Sequence, residues 1–401
     1  MMGSPPLKAA SRQGTRLPEL DGLRGMAILL VLVFHYSRFV PSDSAGFKLT
    51  QYTNIAWCGV DLFFVLSGFL IGGILIDRKN SPNLFAVFYA RRTLRIFPLY
   101  FLVFFSYLIF LFVNLDIPYL FDGQLPLWPF GMFLQNFSMA WTGTSGAAYM
   151  GATWSLAVEE QFYLVFPLVV YFMPYRKLPY FLVSCIVLAI PLRAVLYHWF
   201  SADHHIAFYV LMPCRADALA VGVLCAIVFR SRQLRTMFVQ RIPWIQWLAV
   251  LTLAAFIFLT DPSISSRPMI YFFGYTALSL IFGSALLISL LGNPNSMIRR
   301  ITNLTWLRSL GRIAFAVYLF HLPVVGFVFW IVTGGKPSLD SPGDIVVCLA
   351  AISFTIVLGW LSWVLFERHF IDFGSRFIYA AGKDIHYIPS NSGLSMKPPS
   401  H

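Results

Sequence analysis

Long apolar runs separated by short polar connections recur from Leu23 almost to Phe366. Each run is about 20 residues long, which is the length that an α-helix needs to cross roughly 30 Å of hydrocarbon. The pattern therefore predicts an all-α, polytopic membrane bundle of about ten transmembrane helices. The predicted spans lie near Leu23–Pro41, Ile55–Ile76, Phe97–Asn114, Thr153–Met173, Leu178–Trp199, Ile206–Phe229, Trp244–Thr260, Met269–Leu291, Ile313–Thr333 and Gly343–Phe366.

The composition agrees with a membrane protein. Hydrophobic residues make up 58% of the 401 residues, charged residues make up 11%, and the mean hydropathy is +0.72. These values exclude a soluble globular enzyme. Since little chain is left outside the spans, we predict one transmembrane domain over residues 22–370, with short tails at residues 1–21 and 371–401.

The loops between the spans carry most of the positive charge. The chain has 29 Lys and Arg residues against 17 Asp and Glu, a net charge of +12. With loops assigned to alternate sides, 23 basic residues fall on the side of the N-terminus, two fall within spans, and four fall on the opposite side: Arg38, Lys48, Arg267 and Lys336. Because basic loops stay in the cytoplasm, we predict a multi-pass protein of the plasma (inner) membrane with both termini and tails cytoplasmic. The same placement favours the lipid bilayer over nucleic acid as a partner.

The longest outer segment, Leu115–Ala152, contains no Lys or Arg and is rich in Pro, Gly and Trp. Irregular backbone at membrane depth is tolerated only where it packs against protein or lines a cavity. We predict that this segment forms a re-entrant or interfacial cap over the bundle.

Several ionisable residues fall inside the predicted spans, where a charged group is expensive unless it is paired or faces a cavity. They are His35, Asp61, Glu159, Glu160, Arg193, Arg215, Asp217 and His321. His35, Asp61 and Glu159 each lie about six residues from the outer end of a span, which corresponds to a depth of about 9 Å. This common depth predicts one polar pocket in the outer half of the membrane. The alternative is a satisfied buried network that only fixes helix packing.

Arg215 and Asp217 lie near the middle of their predicted span. Since they are two residues apart on a helix, they face different neighbours and not each other. They are candidates either for substrate contacts or for partners of other buried groups. Arg193 and His198 lie near an outer helix end, where an interfacial position is the simpler interpretation.

A group of arginines lies on the predicted cytoplasmic side. Arg92 and Arg95 are spaced i, i+3 on one helical face, and Arg24 lies at the inner end of the first span. Guanidinium groups so spaced can grip a phosphate bidentately, although ordinary positive-inside charge is the alternative explanation. The chain has no G-x-x-x-x-G-K-[ST] or G-x-G-x-x-G motif for nucleotide hydrolysis or Rossmann binding. Its five cysteines show no paired spacing, so no metal site is predicted.

Six motifs in a fixed order extend over almost the whole predicted transmembrane region. They are Leu20–His35 (with Arg24 and His35), Gly59–Ile71, Phe88–Tyr100, Thr153–Pro167, Arg215–Gly222 and Gly311–Val325 (with His321). With these motifs the chain resembles the membrane-bound acyltransferase family three, whose members O-acylate lipopolysaccharide, exopolysaccharide, nodulation factors and some antibiotics. The chain differs from many relatives at Ala314-Phe315, where Ser-Tyr is common, and at Glu367-Arg368-His369, where Glu-x-Pro is common.

The resemblance implies an integral membrane O-acyltransferase, and an O-acetyltransferase above all. The donor would be cytoplasmic acetyl-CoA or another acyl-CoA, and the acceptor a hydroxyl of a sugar, glycolipid or polysaccharide. His35 would be the general base, and Asp61 would orient its imidazole. Glu159, Trp154 and Ser155 would shape the acceptor pocket, with further substrate contacts from Arg215, Asp217 and His321.

The arginines would then hold the donor. Arg24, Arg92 and Arg95 would bind the phosphates of coenzyme A at the cytoplasmic mouth. Arg24 and His35 are 11 residues apart on one helix, which is roughly 16 Å and close to the reach of an extended phosphopantetheine arm. The spacing could therefore act as a ruler between the phosphates and the base.

Two alternatives come from other classes of protein. A transporter or lipid-linked glycan flippase could use the same buried ionisable residues as a proton relay. It would predict inverted repeats and broken helices at corresponding positions of two halves, and the sequence shows neither. A ligand sensor that kept the fold without the chemistry is disfavoured, because Arg24, His35, Asp61 and Glu159 are all present.

Overall fold

The computed structural model describes residues 17–42, 53–199, 206–259 and 270–381. Most of the predicted N-terminal tail and much of the C-terminal tail lie outside these ranges, as do Lys48, Arg267 and the predicted span ends at Thr260 and Met269. The helices are α1 (Pro18–Ser37), α2 (Gly59–Arg78), α3 (Leu84–Phe112), α4 (Pro118–Phe121), α5 (Trp128–Gly131), α6 (Gln135–Thr142), α7 (Ala148–Gly151), α8 (Trp154–Phe172), α9 (Leu178–Trp199), α10 (Ala207–Val210), α11 (Met212–Arg230), α12 (Arg232–Leu259), α13 (Tyr275–Leu291), α14 (Met297–Thr302), α15 (Thr305–Arg312), α16 (Ala314–Thr333), α17 (Pro342–Ser362) and α18 (Arg368–Ser375). Short 3-10 turns at Asn54–Cys58 and Tyr175–Lys177 and π-helical turns at Ile270–Gly274 and Trp363–Glu367 complete the set.

The described part of the chain is all-α and contains no β-strand. Within it, nine helices are long and apolar enough to cross a membrane. These findings confirm the predicted polytopic helical membrane protein. Helix α12 covers most of the seventh predicted span but is not one of the nine.

Two helix boundaries differ clearly from the predicted spans. Helix α3 begins at Leu84 and not near Phe97, because the arginine-rich motif before Phe97 is itself helical and continues through Pro98. Proline is tolerated inside membrane helices, where neighbouring groups satisfy the freed carbonyl. The last span continues past Phe366 through the π-helical turn into α18. Both extensions carry polar residues, so an apolar run could not reveal them.

Helices α2 and α11 cross at very short range. A Cβ atom at Gly222 would lie 2.1 Å from the carbonyl oxygen of Val65, and one at Gly68 would lie 2.1 Å from that of Leu219. Small residues permit this close approach of backbones, which drives helix association inside membranes. This contact brings Asp61, near the start of α2, next to Arg215 on α11.

Helix α15 packs against the first half of α1 in the same manner. A Cβ atom at Gly25 would meet the carbonyl oxygen of Leu307 at 2.0 Å, and one at Gly311 would meet that of Asp21 at 1.8 Å. Helix α16 begins two residues after α15 ends. The contact therefore brings Arg24 of α1 close to the start of α16, the helix that carries His321.

The segment Leu115–Ala152 forms the four short helices α4 to α7. It is tied to the long helices by hydrogen bonds from the Tyr100 hydroxyl to the carbonyl of Phe130 (2.7 Å) and from the Gln135 amide to the carbonyl of Thr153 (2.9 Å). Packing against the bundle agrees with the predicted cap. Its position at the membrane surface stays a prediction.

Candidate active site

One cavity lies where α1, α2, α3, α8 and the α15–α16 junction meet. Its volume is about 140 Å³. The polar and charged side chains on its wall are Arg24, Ser67, Arg92, Arg95, Ser155, Glu159, Tyr163, Arg312 and Tyr318, and the rest of the wall is mainly aliphatic and aromatic. Residues far apart in the chain thus contribute to a single polar site inside an apolar bundle.

Three arginines predicted to act together share this cavity. Arg24 lies 3.3 Å from the carboxylate of Asp21, one turn earlier on α1. The half-buried Arg92 lies over the rings of Phe88 and Tyr163, at 6.0 and 5.9 Å from their centroids. Neither Arg92 nor Arg95, which is exposed, has a carboxylate within 4.0 Å among the described residues.

Glu159 lies on the wall of the same cavity, close enough to Arg92 and Arg95 for electrostatic attraction. Beside it, the hydroxyls of Ser67 and Tyr163 are 2.5 Å apart. The predicted grouping of Glu159 with His35 and Asp61 is wrong, because neither of those two lines this cavity. The start of α8 at Trp154 agrees with the predicted start at Thr153, so the boundary is not the cause of the error. Depth along a helix does not give the direction in which the helix presents a side chain.

The cavity wall carries a second pair of hydroxyls, those of Ser155 and Tyr318. The Ser155 Oγ and the Tyr318 hydroxyl oxygen are 2.6 Å apart, and both side chains are buried. The Tyr318 hydroxyl also donates to the carbonyl of Ala152 at 2.7 Å. This pair joins the start of α8 to α16.

His321 lies one helical turn beyond Tyr318 and touches His35. The two imidazole rings are 4.8 Å apart, centroid to centroid, in an edge-on arrangement. The His35 Nδ1 lies 2.9 Å from the carbonyl oxygen of Val31, and the His321 Nδ1 lies 2.6 Å from that of Tyr318. Since a carbonyl can only accept, each Nδ1 carries a proton, and in the neutral ring the basic lone pair is then on Nε2. The Nε2 of His321 is buried without a partner in the described structure.

The predicted pairing of Asp61 with His35 is also wrong. Asp61 instead accepts a hydrogen bond from Arg215 at 2.5 Å, and both side chains are fully buried. His35 takes its orientation from the carbonyl of Val31. Span depth placed Asp61 and His35 at similar levels, but depth does not give the direction in which a helix presents a side chain.

A second buried ion pair lies beside the first. Arg193 donates to Asp217 at 2.9 Å and to the Thr276 hydroxyl at 2.6 Å, and Thr276 in turn donates to Asp217 at 2.6 Å. Arg193 is fully buried, so the interfacial position expected for it is wrong.

The predicted substrate contacts of Arg215 and Asp217 are not supported by their placement. Neither residue lines the cavity, and each is engaged in an ion pair between helices. The Arg215 guanidinium also lies 4.2 Å from the centroid of the Tyr275 ring. Both residues match the alternative interpretation, as partners of other buried groups. A buried pair of this kind specifies how helices pack.

Trp154 was predicted to shape the acceptor pocket, whereas Tyr318 was not predicted to belong to the site. Trp154 is buried against the rings of Tyr209 and Phe64, at 4.5 and 6.0 Å, and only Phe64 reaches the cavity. The available signal for Tyr318 was its position three residues before His321, on the same helical face.

The described residues contain no group of three or more His, Cys, Asp and Glu side chains that could hold a metal ion. The cavity wall offers arginines, hydroxyls and one carboxylate, and the imidazoles of His321 and His35 lie beyond Tyr318, outside the wall. Arginines can bind an anion, and an imidazole can accept a proton.

The fold and the site define a polytopic helical membrane protein with a polar cavity inside its helix bundle. A family model described as an acyltransferase domain matches residues 17–364. The chain therefore belongs to this acyltransferase family, which confirms the resemblance seen in the six motifs.

Curated relatives agree with this assignment. YrhL of Bacillus subtilis (strain 168) is 28% identical over 335 residues, which cover 77% of this chain and 48% of YrhL. The O-acetyltransferase OatA of Staphylococcus aureus (strain NCTC 8325 / PS 47) is 26% identical over 338 residues, covering 78% and 51%. The peptidoglycan O-acetyltransferase OatA of Listeria monocytogenes serovar 1/2a is 24% identical over 389 residues, covering 93% and 58%. The chain thus spans about half the length of the curated relatives it matches. No solved structure shows a significant match to it.

The buried pair of Asp61 and Arg215 generates a stability prediction. Asp61→Asn leaves the Arg215 charge buried and unpaired, which should lower the free energy of unfolding by about 3–5 kcal/mol. The double variant Asp61→Asn/Arg215→Gln removes both charges and should recover part of this loss. Thermal melting of the purified protein in detergent would measure both effects.

A matched control is the pair of Asp77 and Arg230, which is joined at 2.7 Å but is 52% and 28% exposed. Exposed pairs contribute about 0–1 kcal/mol, so Asp77→Asn should melt near the wild-type temperature. Equal melting temperatures for Asp61→Asn and Asp77→Asn would show that the buried pair does not hold the bundle together.

Proposed function

We propose that the protein is an integral membrane O-acyltransferase that moves an acyl group, and an acetyl group above all, from acyl-CoA to a hydroxyl of a polysaccharide. In this proposal both termini lie in the cytoplasm and the protein resides in the plasma (inner) membrane. Arg24, Arg92 and Arg95 bind the donor, and His35 activates the acceptor.

The observation that carries the proposal is the set of arginines on the wall of one cavity. Arg92 and Arg95 have no carboxylate within 4.0 Å in the described ranges, whereas Arg193 and Arg215 are each paired with an aspartate inside the bundle. Guanidinium groups that line a cavity and are not held in an ion pair can bind an anionic ligand. The diphosphate of coenzyme A carries such charge, and guanidinium groups bind it through paired hydrogen bonds.

The distribution of basic residues supports donor entry from the cytoplasm. Arg24 lies in the first half of α1, and Arg92 and Arg95 lie in the first half of α3. In the topology that the positive loops favour, these halves of both helices lie toward the cytoplasm. Acyl-CoA is made in that compartment, so only the acyl group has to move toward the outer side.

The reaction itself requires a base, and in this proposal the base is His35, which lies beyond the cavity wall in contact with His321. Its Nε2, the ring nitrogen not bonded to Val31, accepts the proton of an acceptor hydroxyl as the hydroxyl oxygen attacks the thioester carbonyl carbon. The carbon–sulfur bond then breaks, and the departing thiolate takes the proton from the imidazolium. The products are an ester and free coenzyme A. Asp61 is not needed to orient the ring, because the carbonyl of Val31 holds it.

The acceptor is proposed from the names of the relatives. The Listeria relative is named a peptidoglycan O-acetyltransferase. We accordingly propose a cell-wall polysaccharide of the peptidoglycan class, approaching from the outer side beside Leu115–Ala152. The family match favours this enzyme over the transporter alternative.

Replacing His35 tests the base. His35→Ala should lower acyl transfer by about 10²–10⁴-fold, because a positioned general base contributes that much. Transfer of radiolabelled acetyl from acetyl-CoA to isolated peptidoglycan by the purified protein would measure the loss. His198→Ala is the matched control, since His198 is exposed near the end of α9 and lines no part of the cavity. A folded His35→Ala protein with wild-type turnover would remove His35 from the mechanism.

Lysine substitutions test the arginines. Arg92→Lys or Arg95→Lys keeps the charge but loses the bidentate fork, so the KM for acyl-CoA should rise about tenfold. The dependence of the rate on acceptor concentration should stay nearly unchanged. Arg91→Lys is the control, because Arg91 donates to the carbonyl of Phe377 and does not line the cavity. Wild-type donor affinity in both variants and in Arg24→Lys would show that coenzyme A is held elsewhere.

A further inference from the structure

The hydroxyl pair of Ser155 and Tyr318 occupies the part of the cavity wall nearest to the two histidines. The Tyr318 ring lies 5.7 Å from the His321 ring, and the His321 ring lies 4.8 Å from that of His35, centroid to centroid. Glu159 lies one helical turn from Ser155 in the direction of the arginines. In the proposed reaction the arginines hold the phosphates of the acyl-CoA, and its thioester carbonyl carbon is attacked near His35. The acyl-CoA therefore extends past the Ser155–Tyr318 pair.

The hydrogen bonds of the pair leave one proton available to a ligand. Tyr318 donates its hydroxyl proton to the carbonyl of Ala152 at 2.7 Å. Ser155 then donates to the Tyr318 oxygen at 2.6 Å, and its next acceptor, the carbonyl of Ala152, is 3.4 Å away. The Ser155 proton can turn into the cavity while Tyr318 keeps its bond to the backbone. No buried donor is left unpaired by this rotation.

The other hydroxyls of the cavity are less suited to this role. Besides Ser155 and Tyr318, the hydroxyl-bearing side chains on the wall are Ser67 and Tyr163, which pair at 2.5 Å beside the Glu159 carboxylate. A donor next to a carboxylate is attracted to it and is less free to serve a developing oxyanion. Among the described residues on the cavity wall, the only carboxylate is that of Glu159, and it lies one helical turn from Ser155.

We infer that the Ser155 hydroxyl is the donor that stabilises the oxyanion formed on the thioester carbonyl, and that Tyr318 positions it. The inference rests on the proposed acyl transfer. As the acceptor oxygen bonds to the carbonyl carbon, the π electron pair moves onto the carbonyl oxygen, where the Ser155 proton meets it. When the carbon–oxygen double bond re-forms and the carbon–sulfur bond breaks, the Ser155 proton returns to the Tyr318 oxygen. Ser155 is thus a catalytic residue and Tyr318 a positioning residue.

The inference is tested by separating kcat from KM in variants of the full chain. Ser155→Ala should lower kcat about 10²–10³-fold, because one oxyanion donor is worth that much, and should leave the KM for acetyl-CoA nearly unchanged. Ser155→Thr keeps a hydroxyl and should recover much of the activity. Tyr318→Phe should lower kcat less than Ser155→Ala, and the double variant should be no slower than Ser155→Ala alone, since the two residues act as a unit.

The chain supplies a matched control pair outside the cavity. Ser106 and Tyr149 are also joined through their hydroxyls, at 2.8 Å, and neither lines the cavity. Ser106→Ala and Tyr149→Phe lose the same type of bond and should keep the wild-type kcat. Melting temperatures of all the variants identify any loss of activity that comes from unfolding.

Each outcome of this experiment is decisive. A wild-type kcat in Ser155→Ala, or equal losses in folded Ser155→Ala and Ser155→Thr, overturns the inference and leaves the proposed acyl transfer intact. A rise in KM without a fall in kcat makes Ser155 a binding group and also overturns it. Absence of acetyl transfer in the wild-type protein, with acetyl-CoA and peptidoglycan both present, overturns the proposed function and the inference with it.

Discussion

The structure depends on the requirement that a charge inside an apolar bundle have a partner. Arg193 and Arg215 meet this requirement within the protein, through Asp217 and Asp61, and these pairs join helices that are distant in the sequence. Arg92, which is half-buried, and Arg95, which is exposed, instead line the cavity and have no carboxylate within 4.0 Å among the described residues. Two arginines are thus paired inside the bundle, and two lie at the cavity, where we propose that they bind an anion.

The close helix contacts arrange the remaining groups around this anion site. The glycines of α1 and α15 place Arg24 beside the start of α16, and those of α2 and α11 hold the two aspartate–arginine pairs away from the cavity. The arginines, Glu159 and the hydroxyls of Ser155 and Tyr318 line one cavity, and His321 and His35 lie beyond Tyr318, outside its wall. In the proposed reaction the acyl-CoA extends from the arginines past these groups toward the histidines.

The sequence predicted the fold well, because hydrophobic length is read directly from the chain and the bilayer thickness is fixed. It also predicted that Arg24, Arg92 and Arg95 would lie together. It failed where direction around a helix decides a contact: Asp61 faces Arg215 and not His35, and Arg193 is buried and not interfacial. It failed for Glu159 for the same reason, because this side chain faces Ser67, Tyr163 and the arginines of the cavity. Tyr318 was missed because a tyrosine in an apolar helix shows no pattern until its neighbours are known.

The most direct test of the account is a cryo-electron microscopy map of the purified protein with coenzyme A bound. The account predicts density for the diphosphate in contact with Arg24, Arg92 and Arg95, and density for the pantetheine arm running past Glu159 to end beside Ser155, Tyr318 and His35. Density for coenzyme A at another surface, with the cavity unoccupied, would contradict the central claim that the arginines of the cavity are the donor site.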